Sequence, residues 1–416
     1  MAEVFVFGAG MVGVSTALAL QARGMDVLLI DKAAPGKAAS YGNAGLIQAE
    51  AAEPYALPQD FATLLSYALE QSNDVVWKLA PALKMSNALW HYNRFSKPAS
   101  HQAIAKTYSR LTARSTQDHQ PLIEAAGAES LISRNGLYML YRSEKVFEAA
   151  AKDANRIKAL YGTKNRTLSG TEYRQIEPAL RQSPAGMVHW QDSWSCSSPG
   201  ELTEHYARLF EKRGGEIILA DANRLERTSH GWQLQTSSYG KLTAEQAVIC
   251  LGADSPNVLK RFGFDIPMIY KRGYHAHYQC ADAPKTPFLD VENGVLASAM
   301  TKGLRVTSGA ALVDLQSKAE PKQLNYGVEQ LKSLLDIGEQ VSEPQWFGTR
   351  PCLPDMLPLV GQAPGEQRLW FNFGHGHQGF TLGPTTAELL AQAMQDEPSD
   401  LAKALSPEQR SWIKRP

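Results

Sequence analysis

The sequence predicts an α/β fold whose first unit is a strand, a glycine-rich turn, a helix and a second strand. Residues 4–7 form a wholly apolar run with β-branched and aromatic side chains, which is typical of a strand buried on both faces of a parallel sheet. Gly-Ala-Gly-Met-Val-Gly follows at residues 8–13, and residues 14–22 have the apolar content and length of a short helix. Residues 27–30 are a second apolar strand, closed by Asp31. This order is the dinucleotide-binding fingerprint of the Rossmann type.

The glycines and the acid of this fingerprint have separate physical roles. Gly8 permits the tight turn, Gly10 lets the backbone approach a pyrophosphate, and Gly13 lets the helix pack closely against the strand. The helix N-terminus offers free N–H groups and the positive end of its dipole to the phosphates. The pattern fits both NAD and FAD, because Asp31 would accept hydrogen bonds from a ribose. Asp31 would repel the 2′-phosphate of NADP, an exclusion that the adjacent Lys32 weakens.

Composition and charge describe an ordinary globular protein. The 416 residues are enough for two closely joined domains with a sizeable core. The 42 basic and 42 acidic residues balance, so the net charge favours neither nucleic acid nor an acidic membrane as a partner. No apolar run reaches the length of a membrane span, and the first strand begins too close to Met1 to leave room for a secretory signal. The four cysteines lack a C-x-x-C pair, so we expect a cytoplasmic protein that makes at most peripheral contact with a membrane surface.

Apolar periodicity predicts strands and helices over the rest of the chain. Residues 58–127 are predicted to be mostly helical, with breaks near Pro81 and Pro98. A third apolar strand, residues 247–251, ends in Gly252, where the backbone would again pass close to a cofactor. The other predicted strands are residues 136–141, 186–190, 216–220, 224–226 and 232–236 (the last three as a meander), 295–298, 304–308 and 369–373, and the other predicted helices are residues 144–160, 199–213, 327–335 and the stretch that ends at Met394.

One predicted strand, residues 267–279, carries an unusual mixture of aromatic and basic side chains. Alternation divides them between two faces, with Tyr270, Arg272, Tyr274 and Tyr278 on one and Lys271, His275 and His277 on the other. The first face, with aromatic side chains around a cation, suits the wall of a pocket for a small anion. An exposed edge strand with polar side chains fits the pattern equally well.

Two later segments are rich in proline and glycine. Residues 346–361 are expected to hold Arg350 in a stiff, irregular stretch. Residues 369–381 repeat the opening order of strand, glycine-rich turn and helix N-terminus, and they contain His375 and His377. Each H-x-H pair of the chain lacks a nearby third ligand, so structural roles are predicted for these histidines and no metal site.

Four segments together resemble the FAD-dependent D-amino acid dehydrogenases, within the wider group of D-amino acid oxidases, glycine oxidases and sarcosine oxidases. They are the fingerprint at residues 8–13, the Ser-Tyr-Gly-Asn-Ala-Gly loop at residues 40–45, the Thr-Arg-Pro…Pro-Asp…Pro…Gly segment at residues 349–361, and the Gly-His-Gly…Gly…Thr turn at residues 374–381. They occur in this order along the whole chain. The resemblance implies a D-amino acid oxidase-like fold, with a Rossmann-type FAD-binding domain (a parallel sheet with a β-meander) and an α+β substrate domain with a mixed or antiparallel sheet.

The resemblance also implies two discontinuous domains and non-covalent FAD. The FAD-binding domain would comprise residues 1–50, 200–260 and 345–416, and the substrate domain residues 51–199 and 261–344. In this family the loop after the acid borders the isoalloxazine, and the closing turn lies at the pyrimidine end of the flavin. The cofactor-binding residues predicted from the fingerprint and the resemblance are Gly8, Gly10, Met11, Val12, Gly13, Asp31, Lys32, Ser40, Asn43, Ala44, Gly45, Leu46, Gly252, Gly376, Gln378, Gly379, Phe380 and Thr381.

The family's substrate-carboxylate arginine corresponds to Arg350, whose guanidinium would grip a carboxylate bidentately. Arg272 and Tyr274 match a second, looser position on the wall of the substrate domain. His377 is absent from the usual closing turn and is either a substrate-side group or an exposed substitution. Some relatives attach flavin through a cysteine, but Cys352 does not align with that position.

The implied reaction is hydride transfer from the Cα of a D-amino acid to flavin, which gives an imino acid and then a 2-oxo acid and ammonia. The substrate could be cyclic, such as D-proline or a hydroxyproline. Electrons would pass to a quinone or an electron-transfer protein, or to O2 in an oxidase. Two alternatives remain open: a nicotinamide-dependent dehydrogenase, in which the Asn43 loop would have no role, and a flavin-binding subunit without chemistry of its own.

Overall fold

The computed structural model describes residues 2–60, 73 and 75–415. Its helices are α1 (Met11–Gln21), α2 (Leu79–Lys84), α3 (Ser86–Phe95), α4 (Pro98–Thr112), α5 (Ser115–Ala125), α6 (Glu144–Tyr161), α7 (Gly170–Ile176), α8 (Pro199–Lys212), α9 (Ser255–Lys260), α10 (Lys322–Leu331), α11 (Gly379–Met394) and α12 (Asp400–Leu405). Its strands are β1 (Ala2–Phe7), β2 (Val27–Asp31), β3 (Leu46–Ile47), β4 (Val75–Trp77), β5 (Ile132–Ser133), β6 (Leu137–Tyr141), β7 (Asn165–Ser169), β8 (Gly186–Trp190), β9 (Trp194–Cys196), β10 (Glu216–Leu219), β11 (Leu225–Thr228), β12 (Gly231–Gln235), β13 (Lys241–Ile249), β14 (Ile269–Tyr278), β15 (Phe288–Asp290), β16 (Val295–Met300), β17 (Gly303–Thr307), β18 (Ala310–Leu312), β19 (Trp346–Cys352), β20 (Leu359–Ala363) and β21 (Glu366–Phe373).

An eight-stranded sheet is built around β1. The strands β10, β2, β1, β13 and β21 pair in parallel in this order. The strands β12 and β11 extend β13 as an antiparallel meander, and β20 pairs antiparallel with β21. The carboxyl ends of the parallel strands meet at one edge, which is where open α/β sheets bind ligands.

The core of this sheet follows from the apolar strands that the sequence predicts. All four side chains of residues 4–7 are fully buried, as predicted for a strand covered on both faces. Helix α1 packs against α8 and α11 on one side of the sheet, with Val14 and Leu389 in the shared core. The helix that begins at the fingerprint is therefore held rigidly at the sheet edge.

A ten-stranded sheet forms the second layer of strands. Its order is β4-β18-β14-β17-β16-β15-β6-β8-β7, and β19 pairs with β14. The strand β14 is central, because it lies between β19 on one side and β17 and β18 on the other, with all three pairings antiparallel. A third, small sheet consists of β3, β9 and β5.

The mixed α/β architecture is as predicted, with three local corrections. Val75 and Val76, predicted as helical, lie in β4, which pairs in parallel with the distant β18 and so gains a partner that local periodicity does not reveal. Arg350 lies on the regular strand β19 rather than in an irregular segment, and Pro351 is tolerated because β19 is an edge strand. Residues 216–219 pair in parallel with β2, so the third strand of the meander is β13.

The domain boundaries at residues 50, 199, 260 and 344 stay a prediction. Residues 345–416, assigned above to the FAD-binding domain, contribute β19 to the ten-stranded sheet and β20 and β21 to the eight-stranded sheet. Within the residues that the structure describes, no helix combines the length and the apolar character needed to cross a membrane.

Candidate active site

A cavity of about 1170 Å³ runs from the edge of the eight-stranded sheet to β14 and β19 of the ten-stranded sheet. We call the part lined by Gly8, Gly10 and Asp31 the fingerprint end, and the part lined by Lys271 and Arg350 the basic end. The volume exceeds the roughly 300–1,000 Å³ of ordinary small-molecule pockets, so the cavity can hold a long ligand together with a smaller one.

Most of the residues that the sequence predicts for the site line this cavity. They are Gly8, Gly10, Met11, Val12, Asp31, Lys32, Ser40, Asn43, Ala44, Leu46, Gly252, Arg350, Gly376, His377, Gly379 and Phe380. Six others do not line it, namely Gly13, Gly45, Arg272, Tyr274, Gln378 and Thr381.

At the fingerprint end, two glycines allow the backbone to pack closely. Gly8 has a φ of +112°, and a Cβ there would lie 2.5 Å from the carbonyl oxygen of Cys250. A Cβ on Gly13 would lie 1.6 Å from the carbonyl oxygen of Gly8, so α1 can approach β1 only because Gly13 has no side chain. Gly13 therefore shapes the site from behind the cavity wall, in the packing role that the fingerprint predicts.

Hydrogen bonds fix the acid and the start of α1 at this end. Asp31 accepts from the backbone N–H of Ala9 at 2.7 Å and of Ala33 at 3.1 Å. Its carboxylate oxygens keep further lone pairs that can accept from a ligand hydroxyl. The N–H of Met11 donates to Ser40 Oγ at 2.9 Å, and the next N–H groups of the helix have no intrahelical acceptor.

Arg305, which the sequence analysis did not identify, holds the loop that follows β2. This arginine is 3% exposed, and its Nη1 donates to the carbonyl oxygens of Tyr41 at 2.9 Å and Asn43 at 2.6 Å. Asn43 Oδ1 in turn accepts from the N–H of Gly45 at 2.8 Å and of Leu46 at 3.3 Å. A side chain of β17, in the ten-stranded sheet, thus sets the shape of a loop at the edge of the eight-stranded sheet.

Behind Arg305 lies a hydrogen-bonded chain of His277 and Glu343. It shows that the prediction of no third ligand beside the pair His275 and His277 is wrong. Within the described residues, the ligating atoms of His275, His277 and Glu343 lie within 4.8 Å of one another, so this H-x-H pair does have a third potential ligand. His277 Nε2 accepts from Arg305 Nε at 3.0 Å, so its Nδ1–H donates to Glu343. Lys302 lies 3.8 Å from Glu343. Two cations in direct contact with the cluster disfavour a metal cation there, and the cluster supports Arg305 instead.

At the basic end, Arg350 lies across a glycine of the neighbouring strand. A Cβ on Gly273 would lie 2.6 Å from Arg350 Nη2, so a larger residue would displace the guanidinium. Arg350 donates through Nη1 to the carbonyl oxygen of Gly309 at 3.0 Å and through Nη2 to that of Ser308 at 3.4 Å. These bonds orient the planar fork while leaving N–H groups for an anion in the cavity.

The face of β14 that the sequence analysis favoured does not meet the cavity. Arg272 is fully buried, and its guanidinium donates to carbonyl oxygens of the segment from residue 314 to residue 318. Tyr274 is 2% exposed, and its hydroxyl accepts from the N–H of Glu320. The predicted alternation is correct, but Lys271 and Gly273 on the opposite face line the cavity. The structure thus gives Arg272 and Tyr274 partners that anchor the segment around residues 314–320.

The closing turn brings two histidines to the cavity wall. His377 Nε2 accepts from Gln378 Nε2 at 3.0 Å, and its ring lies 5.1 Å from that of Tyr55. Burial, followed by the charges of Arg350 and Lys271, lowers the pKa of His377 to about 3, so its imidazole is neutral at physiological pH. Gln378 and Thr381 contact β3 and the residue that follows it, since Gln378 donates to Gln48 and Thr381 Oγ1 donates to the carbonyl oxygen of Leu46.

Four tyrosines complete the wall, and the sequence analysis did not identify them. They are Tyr55, Tyr92, Tyr108 and Tyr141. Burial raises the pKa of Tyr92 and Tyr108, and it raises the pKa of Tyr141 to about 12. These phenols therefore keep their protons and can donate hydrogen bonds. No motif surrounds them, and three of the four come from segments whose periodicity reports only packing.

The family model of the FAD dependent oxidoreductases matches residues 3–393, nearly the whole chain. The chain belongs to this family. It is an oxidoreductase, and FAD is its cofactor. A D-amino-acid oxidase of Bradyrhizobium diazoefficiens is 27% identical over 97% of this chain and 97% of its own length. A D-amino acid dehydrogenase of Chromohalobacter salexigens is 28% identical over 94% of this chain and 95% of its own length.

Solved structures show the same fold. Glycine oxidase from Geobacillus kaustophilus matches with a TM-score of 0.73 at 20% identity, and the match covers 98% of this chain and 99% of that chain. L-amino acid deaminase from Proteus vulgaris matches with a TM-score of 0.72 at 18% identity, over 99% of this chain and 97% of that chain. The predicted D-amino acid oxidase-like fold is confirmed.

The donors and acceptors of the cavity fit FAD. Free N–H groups at the start of α1 suit a pyrophosphate, and the carboxylate of Asp31 suits a ribose. Gly8 and Gly10 line the cavity without side chains, which leaves room for these groups. Gln378 Oε1 is buried and accepts no hydrogen bond within the described residues, which leaves an acceptor beside the closing turn.

Proposed function

We propose that this chain oxidises a D-amino acid at its C–N bond and passes the electrons to a quinone or another acceptor. The observation that carries the proposal is the oriented guanidinium of Arg350 at the basic end of a cavity whose other end fits FAD. The relatives named D-amino-acid oxidase and D-amino acid dehydrogenase support a D-amino acid as the substrate class. They differ in the acceptor that their names imply, and the acceptor is therefore part of the experiment below.

Arg350 is proposed to hold the substrate carboxylate. The carbonyl oxygens of Ser308 and Gly309 fix the plane of its guanidinium, so a carboxylate can bind bidentately without further ordering of the side chain. Such a clamp fixes the position of Cα, and orientation of this kind can supply much of the rate enhancement. When bound, FAD supplies the acceptor for the hydride of Cα.

The side chains near Arg350 favour a substrate amine that is already neutral. With a pKa of about 3, the imidazole of His377 is too weak a base to take a proton from an ammonium group, and the tyrosine phenols cannot act as bases while they stay protonated. The positive charges of Arg350 and Lys271 disfavour an ammonium group in the same space. The arrangement therefore favours binding of the substrate with a neutral amine and needs no dedicated base.

FAD is proposed to bind non-covalently at the predicted cofactor residues. Cys352 lines the cavity, but burial raises the pKa of its thiol. A thiol that stays protonated is a poor nucleophile, so a covalent bond to the cofactor is disfavoured.

An anaerobic titration of the yellow holoenzyme tests this function. D- and L-amino acids, including D-proline and D-hydroxyprolines, are added while the flavin absorbance is recorded. Bleaching by D- but not L-amino acids supports the proposal, and bleaching by D-proline alone would assign a cyclic substrate. A flavin that no amino acid reduces would contradict it and favour a subunit without chemistry of its own. Readmitting air then separates the acceptors, since rapid recovery of the absorbance identifies an oxidase.

A further inference from the structure

Two cations face each other on the wall of the basic end. Lys271 on β14 pairs directly with Arg350 on β19 in the antiparallel register, and both side chains line the cavity. Like charges on directly opposed residues destabilise a sheet. The pairing therefore costs stability.

The described residues provide no carboxylate partner for either cation. Lys271 Nζ donates to the hydroxyl of Tyr92 at 3.2 Å and lies 4.7 Å from the centre of its ring. Among the ion pairs formed within residues 2–60, 73 and 75–415, neither Lys271 nor Arg350 occurs. The described carboxylates that line the cavity are Asp31, Asp221 and Asp254, which lie at or soon after the ends of β2, β10 and β13 in the eight-stranded sheet.

The lysine is held in place and charged. The hydroxyl of Tyr92 donates to the carbonyl oxygen of Tyr55 at 2.6 Å, so a lone pair of the same oxygen is free to accept from Lys271. Burial lowers the pKa of Lys271, the neighbouring Tyr92 and Cys352 raise it, and the resulting pKa lies above its ordinary value. The ammonium has three donors, and the contact with Tyr92 uses one of them.

A ligand that fills the basic end must compensate both charges. Such a ligand removes water from two cations, and an uncompensated charge without water is costly. One carboxylate is matched by the fork of Arg350 alone. Lys271, a point charge on a separate strand, offers a second position for an anion.

We propose that Lys271 is a second anion-binding residue of the substrate site, and that the amino acid oxidised carries an acidic side chain besides its α-carboxylate. This inference rests on the function proposed above. Arg350 binds the α-carboxylate, and Lys271, held in place by Tyr92, binds the carboxylate of the side chain. Specificity then comes from a charge on β14, not from the size of the pocket.

The wild-type holoenzyme gives the first test. D-glutamate is compared with D-glutamine, and D-aspartate with D-asparagine, by the rate of anaerobic flavin reduction per substrate concentration. A hydrogen bond to a charged group contributes about 1.5–3 kcal/mol, so each acid should be preferred over its amide by about tenfold or more. Equal rates, or faster reduction by the amides, would overturn the inference while leaving a D-amino acid oxidoreductase in place.

Lys271→Met supplies the second test, with Lys84→Met as the matched control. The control removes the same charge from an exposed lysine whose side chain is 70% accessible and pairs with Asp314. Lys271→Met should lose the preference for acids and retain or improve the rate with the amides, whereas Lys84→Met should keep the wild-type ratio. A Lys271→Met enzyme with an unchanged acid-to-amide ratio would show that Lys271 contacts something other than the substrate side chain.

A binding measurement keeps the inference separate from the proposed reaction. Glutarate and butyrate are titrated into the oxidised holoenzyme, and the perturbation of the flavin absorbance gives their dissociation constants. Glutarate should bind the wild type at least about tenfold more tightly than butyrate, and this advantage should vanish in Lys271→Met. Failure of every amino acid to reduce the flavin would end the proposed function and this inference with it. Glutarate binding no better than butyrate would end only the inference.

Discussion

The two ends of the cavity bind charge in opposite ways. At the fingerprint end, backbone N–H groups and a helix terminus face the ligand. The charged side chains at this end are acidic, or they are basic and paired with an acid, as Lys32 is with Asp254 at 3.2 Å. At the basic end, Arg350 and Lys271 face the ligand, and their partners are carbonyl oxygens and a phenol. A long ligand with a fixed phosphate group can be bound by backbone N–H groups, and these donors remain when side chains are substituted. A small ligand depends on individual side chains, and its site is therefore more sensitive to single substitutions.

The largest effect is expected at the basic end, from Arg350→Met. Loss of two charge-assisted hydrogen bonds to the carboxylate should cost about 3–6 kcal/mol in kcat/KM, or roughly 10²–10⁴-fold. The flavin spectrum and the stoichiometry of bound FAD should stay unchanged, because the fingerprint end is untouched. Arg156→Met, which breaks an exposed pair with Glu53, is the control and should keep full activity. Loss of FAD from Arg350→Met would show that the two ends are not independent.

Gly13→Ala should produce the next largest effect, and it should do so through the backbone. The added Cβ would lie 1.6 Å from the carbonyl oxygen of Gly8, so α1 must move away from β1. We expect a loss of about 3 kcal/mol or more in the free energy of unfolding of the apoprotein, together with weaker FAD binding. Gly24→Ala is the control, since its Cβ would meet nothing within 4 Å and only its φ of +81° is strained. Chemical denaturation of both variants measures the difference, and equal losses would refute the packing role of Gly13.

The cavity is also lined by His375, which is 7% exposed and donates to Thr386 Oγ1. Burial lowers its pKa to about 3, below the ordinary value near 6.5. The unfolded chain therefore takes up a proton first as the pH falls, and stability present above pH 6.5 is lost progressively towards pH 3. From pH 7 to pH 5 this residue should remove about 2 kcal/mol from the free energy of unfolding.

His375→Asn should flatten that pH dependence even if it destabilises the protein at every pH. His230→Asn is the matched control, because His230 is exposed. Denaturation midpoints at pH 7 and pH 5 give the comparison. A slope in His375→Asn as steep as in the wild type would mean that the imidazole is already charged in the folded protein.

The smallest effect is expected from Lys32→Met at the fingerprint end. Lys32 and Asp254 are 70% and 51% exposed, and exposed pairs contribute about 1 kcal/mol or less. The dissociation constant of FAD should change by less than about fivefold, and less still at high salt. A change of a hundredfold would mean that side chains, and not the backbone, dominate binding at this end.

The sequence predicts best those elements that depend only on residues close together in the chain. The fingerprint from Gly8 to Asp31 needs only neighbouring residues, and its strands, turn and helix form as predicted. The resemblance predicts Arg350 as a site residue, and Arg350 lines the cavity, whereas the prolines and glycines around it predict an irregular segment in place of β19. Residues 61–72 and residue 74, part of the predicted helical region, lie outside the described residues.

What the sequence could not provide depends on distant partners. Alternation with a period of two residues places Lys271 and Arg272 on opposite faces of β14, but it does not show which face lines the cavity. The sequence therefore predicts Arg272 as the site residue, whereas Lys271 lines the cavity. The strand β4 forms because β18 lies beside it, more than 230 residues further along the chain. The chain of contacts from Glu343 through His277 to Arg305 joins three segments that share no motif.

Arg305 has a consequence for how the protein matures. Its guanidinium holds the carbonyl oxygen of Asn43 across a separation of 262 residues. The loop from residue 40 to residue 45 therefore lacks this contact until β17 of the ten-stranded sheet has been synthesised and has folded. Contacts this distant in sequence form late, because a long loop must be closed first. The fingerprint is synthesised first, but the loop from residue 40 to residue 45 reaches its final shape only after β17 (Gly303–Thr307) has been made.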